Sequence, residues 1–233
     1  MIIQNIKRLA ILFVATVGVM VSPLSAQAQV APRAAEIAAY EGLHKAAHEG
    51  NVAELEKLIK AGADIEQTDR HERTAFHIAG FAGQHAIMRS LAKAGADVNA
   101  LEDGIYDVVT IAAVADDLET MKVALELGNK STNITSIYDG TALIAAAHLG
   151  HFSVVQTLIE AGAPLDHVNN LHWTALIESV VLGDGGSDHQ KTAQALVNAG
   201  ASKTLADKFG RTPLDLAKSR GYEAMVKILE MDE

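Results

Sequence analysis

The sequence predicts an all-α repeat solenoid of about six stacked units, each a helix–turn–helix followed by a projecting hairpin. Three observations carry this reading. Gly62, Gly95, Gly128, Gly162 and Gly200 close similar short motifs (AGAD, AGAD, LGNK, AGAP, AGAS) at steps of 33, 33, 34 and 38 residues. Thr74, Thr141, Thr174 and Thr212 recur at one place in the period, with Glu41 and Asp107 standing there in two other units. An apolar, alanine-rich run follows each of these positions, and self-similarity at such a period marks a repeat array.

Each unit can be justified from its residues. A Thr ahead of an apolar run is a good helix N-cap, because its hydroxyl accepts an orphan backbone N–H. Asp107 can do the same job; Glu41 does it poorly. The first helix of a unit has small side chains (LIAAAHL at 143–149, FHIAGFA at 76–82), so a second helix can pack close. Gly50, Gly83, Gly150 and Gly221 end these helices where a positive φ is needed. The second helix carries apolar residues at helical spacing, such as Val154, Val155, Leu158 and Ile159. No unit covers its own apolar face, so stability has to come from stacking.

In chain order, residues 1–28 read as a secretory signal peptide. Lys7 and Arg8 form the charged region, and 9–21 is an apolar stretch of 13 residues, short of the roughly 20 needed to span a bilayer. Pro23 breaks it and Ala26-Gln27-Ala28 supplies a cleavage pattern, placing the cut after Ala28. The leader has a bacterial character, so the expected destination is the periplasm or the outside. Residues 29–40 are expected to form a polar capping segment that continues as helix into the first unit. The units span approximately 41–70, 71–103, 104–136, 137–169, 170–206 and 207–230. The third is degenerate: Asp116 replaces the turn glycine. In the fifth, DGGSD at 184–188 separates Gly183 from His189 and accounts for the step of 38; it reads as a flexible acidic loop and a possible partner contact. The charged residues 230–233 read as a C-terminal cap.

The chain has 233 residues, no cysteine and a formal charge of −10; removing the leader leaves 17 basic against 29 acidic residues, or −12. That balance argues against nucleic acid or an anionic membrane as partner, since both need a basic footprint. Without cysteine there are no disulfides, no thiol nucleophile and no lipid-bearing N-terminal Cys.

The period, together with TAFHIA (74–79), TALIAA (141–146), RTPLDLA (211–217), the GH turns and the AGAD motifs, closely resembles the ankyrin repeat over residues 41–230. The resemblance implies a scaffold that binds proteins through its hairpin tips and the concave surface of its first helices. Carried onto this chain, it nominates Arg73, Phe81, Tyr106, Val114, Tyr138, Leu149, Trp173 and Phe209 as partner-binding residues. Aromatic and Arg side chains are the usual interface anchors, and neither Trp173 nor Tyr106 is demanded by core packing. The resemblance also assigns His44 and His77 to a structural histidine that holds neighbouring loops, and His151 and His189 to the GH turn. Of the closely spaced pairs His44/His48 and His148/His151, that leaves His48 and His148, two intervening units apart.

No HExxH or CxxC spacing occurs, Asp184 and Asp188 are too few for a calcium loop, and no metal or cofactor is expected. There is no GxSxG, phosphate-binding loop or dinucleotide fingerprint, and the glycines serve turns at the repeat period. The reading is a monomeric, non-enzymatic protein-binding module of the periplasm. The alternatives are an inhibitor or immunity-type protein for an exported enzyme or toxin, and a metal-handling or enzymatic periplasmic protein.

Overall fold

The computed structural model describes residues 31–230, so the leader and the last three residues of the charged tail lie outside the described residues. Thirteen α-helices and no strands occur among them. A short α1 (Ala34–Ala38) precedes six antiparallel pairs. The pairs are α2 (Gly42–Glu49) with α3 (Val52–Lys60), α4 (Ala75–Phe81) with α5 (His85–Lys93), and α6 (Val108–Ala115) with α7 (Leu118–Glu126). They continue with α8 (Ala142–Leu149) and α9 (Phe152–Glu160), α10 (Ala175–Val181) and α11 (Ser187–Asn198), and α12 (Pro213–Arg220) and α13 (Glu223–Glu230). Even-numbered helices from α2 to α12 touch one another in sequence to form the inner row; the odd-numbered ones from α3 to α13 form the outer row.

The caps explain where the inner helices begin. The hydroxyls of Thr141, Thr174 and Thr212 accept from the amides of Ile144, Ile177 and Asp215 at 3.3, 3.2 and 3.2 Å. Asp107 accepts from the Thr110 amide at 2.8 Å, whereas Glu41 makes no side-chain cap. Asp116 holds the turn-glycine position at φ +54. The core follows the alanines: Ala46, Ala79, Ala112, Ala146 and Ala217 are buried between helices, and Leu55, Leu91, Met121, Leu158 and Leu196 fill the outer row.

Three local expectations are modified. The capping segment does not run on as helix: the chain turns at residues 39–41, and α2 opens at Gly42 with φ +53. The DGGSD stretch is tied down rather than loose. Asp184 Oδ1 accepts from the Gly186 amide at 2.7 Å and lies 3.0 Å from His189 Nδ1, and the inserted residues enter α11, which has 12 residues against 9 in α9. Gly185 has φ +72, and a Cβ there would stand 2.7 Å from the Tyr222 ring, so only glycine fits this contact. The inter-unit segments follow a hairpin path without regular strands, with isolated bridges at Thr68–Thr74 and Thr135–Gly140.

The histidine assignments are reproduced in detail. His44 Nε2 donates to the Arg73 carbonyl and His77 Nε2 to that of Ala100, each at 3.0 Å. His151 Nδ1 reaches the Ala113 carbonyl at 2.8 Å and His189 Nε2 that of His148 at 3.0 Å. In the degenerate third unit a polar network replaces the histidine. Asn129 Nδ2 and Asn133 Nδ2 donate to Asp107 Oδ2 at 2.9 and 2.8 Å, and Asn129 Oδ1 accepts from the Val109 amide at 2.9 Å.

Asp107 is therefore both a cap and the hub of buried amide donors. Asp107→Ala is expected to lower unfolding free energy by about 2–4 kcal/mol, the sum of a lost cap and buried groups left unpaired. Glu41→Ala is expected to change it by less than about 0.5 kcal/mol. Urea denaturation of the two variants checks the contrast.

Candidate binding site on the concave face

The loop before each inner helix from α4 to α12 closes on itself. Asp69 N donates to Arg73 O at 3.0 Å, Glu102 N to Tyr106 O at 3.1 Å, Asn169 N to Trp173 O at 3.0 Å and Asp207 N to Arg211 O at 2.9 Å. The third of these loops, before α8, is one residue longer, with Thr135 N donating to Gly140 O at 2.8 Å. The first side chain of the loop completes the closure. Asp69 Oδ1 takes the His71 and Arg73 amides at 2.8 and 3.1 Å, and Asn169 Oδ1 takes those of Leu171 and Trp173, both at 3.0 Å. Neighbouring tips are joined in turn: Asp103 N donates to His71 O, Ser136 N to Ile105 O and Asn170 N to Tyr138 O, at 3.0, 2.7 and 2.9 Å.

This closure fixes the residue just before each cap, and its chemistry changes along the array. At both ends the loop opens with Asp and closes with Arg. Arg211 Nε and Nη2 reach Asp207 Oδ2 at 2.9 and 2.6 Å, and Arg73 Nε reaches Asp69 Oδ2 at 2.8 Å. In the middle the opening residues are Glu102, Thr135 and Asn169, and the closing ones are Tyr106, Gly140 and Trp173. The middle positions are thus released from an ion pair, and they face a cleft of about 230 Å³ on the concave side. Tyr106, Tyr138 and Trp173 supply its rings, Val114, Ile144 and Leu182 its apolar wall, and His148 and Glu178 line it from α8 and α10. Burial raises the Tyr106 phenol above its ordinary range, so it is a neutral surface at physiological pH.

Of the eight residues nominated from sequence, Tyr106, Val114, Tyr138 and Trp173 converge on this cleft. Phe81 is half-buried and Leu149 exposed, both outside it. Phe209 is 70 % exposed, with the Lys208 ammonium 5.3 Å and the Arg211 guanidinium 5.2 Å from its ring centroid. Arg73 requires correction as a surface anchor. Its side chain is fully buried, and it bridges Asp69 Oδ2 to Glu36 Oε2 on α1, both at 2.7 Å. Arg70 and His71 also meet Glu36, so the capping helix is held by charge. Sequence reading passed over Leu171 and Glu178 in the cleft. It also passed over the exposed apolar side chains of the loops, Leu101, Ile105, Ile134, Ile137 and Val168. A spacing signal existed for the last group, since apolar residues recur in successive polar loops.

Among the described residues no group of three or more His, Asp or Glu side chains could hold a metal ion.

Comparison with known proteins agrees with this architecture. The family model described as "Ankyrin repeats (3 copies)" matches residues 26–102 and 109–207. The chain is 34 % identical over 185 residues to the ankyrin repeat protein YahD of Escherichia coli (strain K12), covering 79 % of this chain and 92 % of that one. An ankyrin repeat domain from Acinetobacter baumannii AYE superposes with a TM-score of 0.75 at 38 % identity, over 80 % of this chain and 95 % of that one. A chain in the structure of a predatory endopeptidase from Bdellovibrio bacteriovorus in complex with an immunity protein gives a TM-score of 0.68 at 20 % identity. It covers 83 % of this chain and 99 % of that one, a likeness of fold alone. The chain belongs to the ankyrin-repeat family, whose repeats are protein–protein interaction modules.

The Glu36–Arg73–Asp69 cluster has a definite pH signature. The Arg73 hydrogen bond, opposed by burial, holds the Glu36 carboxyl well below the usual carboxylate range. For Asp69, burial pushes upward, but the Arg73 side chain and the His71 and Arg73 amides bring the net shift downward. Carboxyls depressed in the folded state contribute stability that is fully present above about pH 4, their unfolded value, and is lost as pH falls through the folded values. On acidification below about pH 4, hydrogen exchange over residues 34–40 is expected to rise, and Glu36→Gln is expected to show that fast exchange already at pH 7. Arg73→Ala removes the buried cation shared by Glu36 and Asp69 and is expected to cost about 3 kcal/mol in thermal or urea unfolding, Arg70 and the loop amides still meeting part of their charge.

Proposed function

We propose that the chain is an exported, non-enzymatic binding module that grips a protein partner with its concave face. The observation that carries this is the convergence of Tyr106, Tyr138 and Trp173 on one cleft, beside loops bearing Leu101, Ile105, Ile134 and Ile137 as exposed apolar side chains. Single exposed apolar residues are ordinary on a protein surface; a row of them next to an aromatic cleft is the composition of an interface core. Rigid rings fixed by loop closure lose little side-chain entropy on binding, which suits them as anchors.

Export rests on the leader motif of residues 1–28, with its charged start, apolar stretch of 13 residues and small-residue cleavage pattern. Among the described residues no helix is long and apolar enough to cross a membrane.

The test uses the full chain, expressed with its leader in a bacterium with two membranes. A shortened form in the periplasmic fraction is expected; retention in the cytosol at full mass would overturn export. The purified mature protein then captures its partner from periplasmic extract, and the binary affinity is measured by calorimetry. Tyr106→Ala with Trp173→Ala is expected to weaken binding at least roughly 30-fold, since central aromatic anchors carry most of an interface's energy. Gln156→Ala on the outer face of α9 should leave affinity unchanged. Equal affinity of the aromatic variant and the unmodified protein would remove the concave face from the interface.

A further inference from the structure

Glu178 lines the cleft, and the reading above does not use its chemistry. It sits four residues after its helix cap, where four other inner helices carry Ile78, Ile111, Ala145 and Leu216 after Thr74, Asp107, Thr141 and Thr212, while α2 carries the exposed Lys45 after Glu41. A carboxylate therefore occupies a packing position. It is 3 % exposed and lines the same cleft as the three rings. Its Oε1 accepts from Asn169 Nδ2 at 3.0 Å. Its Oε2 is buried and has no hydrogen-bond donor among the described residues. His148 Nδ1 lies 3.3 Å from Oε2, within ion-pair range but not aligned as a hydrogen bond. An unmet buried carboxylate oxygen is costly, and a structure that carries one beside an open cleft offers an acceptor to whatever enters.

The rest of the cleft specifies what can enter. Aromatic faces attract cations through the ring quadrupole, and a carboxylate at the end of an aromatic wall adds charge of the complementary sign. A neutral apolar group would leave Oε2 unpaired; an anion would be repelled. The volume of about 230 Å³ is below the roughly 300–1,000 Å³ of ordinary small-molecule pockets and suits one long side chain. The formal charge of −10 favours approach by a basic protein. Two basic side chains of this chain face the site: His148 beside Oε2, and Lys208 at the rim, its ammonium drawn toward Phe209. Lys208 is itself a positive charge at the mouth and works against cation entry, so the attraction has to come from the Glu178 carboxylate and the rings.

We propose that the cleft receives one basic side chain, arginine or lysine, projecting from the protein partner, with its stem against Val114 and Leu182 and its cationic head hydrogen-bonded to Glu178 Oε2. This deepens the interaction-module reading and rests on it.

Trp173 is the only tryptophan of the chain, so its emission and its indole NMR signal report directly on the cleft. The probes are blocked tripeptides Gly-Arg-Gly and Gly-Lys-Gly, the neutral isostere Gly-citrulline-Gly, and free n-butylguanidinium. At least one basic tripeptide is expected to shift the Trp173 signals saturably, and the citrulline peptide to bind at least tenfold more weakly. Glu178→Gln is expected to reduce basic-tripeptide binding at least tenfold while keeping the tertiary circular dichroism of the parent. If that variant does not fold, the arginine–citrulline difference on the unmodified protein, together with its loss in Tyr138→Ala, decides the question. No saturable response to either basic tripeptide, or equal binding of citrulline, or full binding by folded Glu178→Gln, would overturn the proposal. Butylguanidinium binding without either basic tripeptide would also overturn it, since the site would then take a free cation and not a partner's side chain. The two readings fail separately. A captured partner that is lost with Tyr106→Ala and Trp173→Ala but indifferent to Glu178→Gln sinks only the cation assignment. Tripeptide binding with a partner insensitive to the aromatic variants sinks only the concave-face assignment.

Discussion

The backbone hydrogen bond that closes each inter-unit loop is the constraint on which the rest of the molecule depends. It fixes the residue before every helix cap, and through the tip-to-tip bonds it sets one unit against the next. Once the loop is closed by its backbone and by the first side chain, the last side chain of the loop has no obligatory structural role. In the first and last of these loops Arg73 and Arg211 turn back onto the acid that opens the loop. In the central units no such acid–Arg pair exists, and Tyr106 and Trp173 extend over the concave face. The binding surface is thus made by a chemical substitution within an unchanged backbone geometry.

The inner helices supply the second condition. Their alanines bring successive helices close, so the concave face is shallow and side chains from three neighbouring units can meet. The cleft draws Val114 from α6, Ile144 and His148 from α8, and Glu178 and Leu182 from the α10 region. Ala145 and Glu178 line this same cleft. Burying a carboxylate in this way works against folding. The array tolerates it because stability is spread over many interfaces between neighbouring units, so one poorly satisfied position is diluted by the rest.

What was legible in the sequence was local. Turn glycines, threonine caps and the loop-holding histidines each follow from the φ, donor or acceptor needs of a few adjacent residues, and Asp116 at φ +54 shows the turn persisting where the glycine is gone. What was not legible depended on distant partners. Arg73 has the composition of an interface anchor, but its charge is met by Glu36, 37 residues earlier, on a helix whose docking no periodicity reveals. The DGGSD stretch looked loose because Gly185 reads as freedom, whereas its glycine makes room for the Tyr222 ring, whose hydroxyl also donates to the Gly183 carbonyl at 3.1 Å. Tyr106, Tyr138 and Trp173 were nameable because an aromatic residue in the loop before a capped helix has few structural reasons to be there, and Val114 because it stands just before the turn that ends its inner helix.

Glu178 shows where such reading stops and geometry has to take over. In the sequence it is one acid among 29, in a run (ALIESVV) whose periodicity marks it only as an inner-helix position. Its meaning comes from the register with Ile78, Ile111 and Ala145, which shows that a packing position has been given a charge. A charge introduced there for solubility would face water, and one introduced for stability would meet a full set of donors. This one does neither: one oxygen is held by Asn169, and the other is buried without a hydrogen-bond donor on a side chain that lines the aromatic cleft. The physical asymmetry between its two oxygens, one satisfied from within and one not, is what distinguishes a recognition group from a structural one.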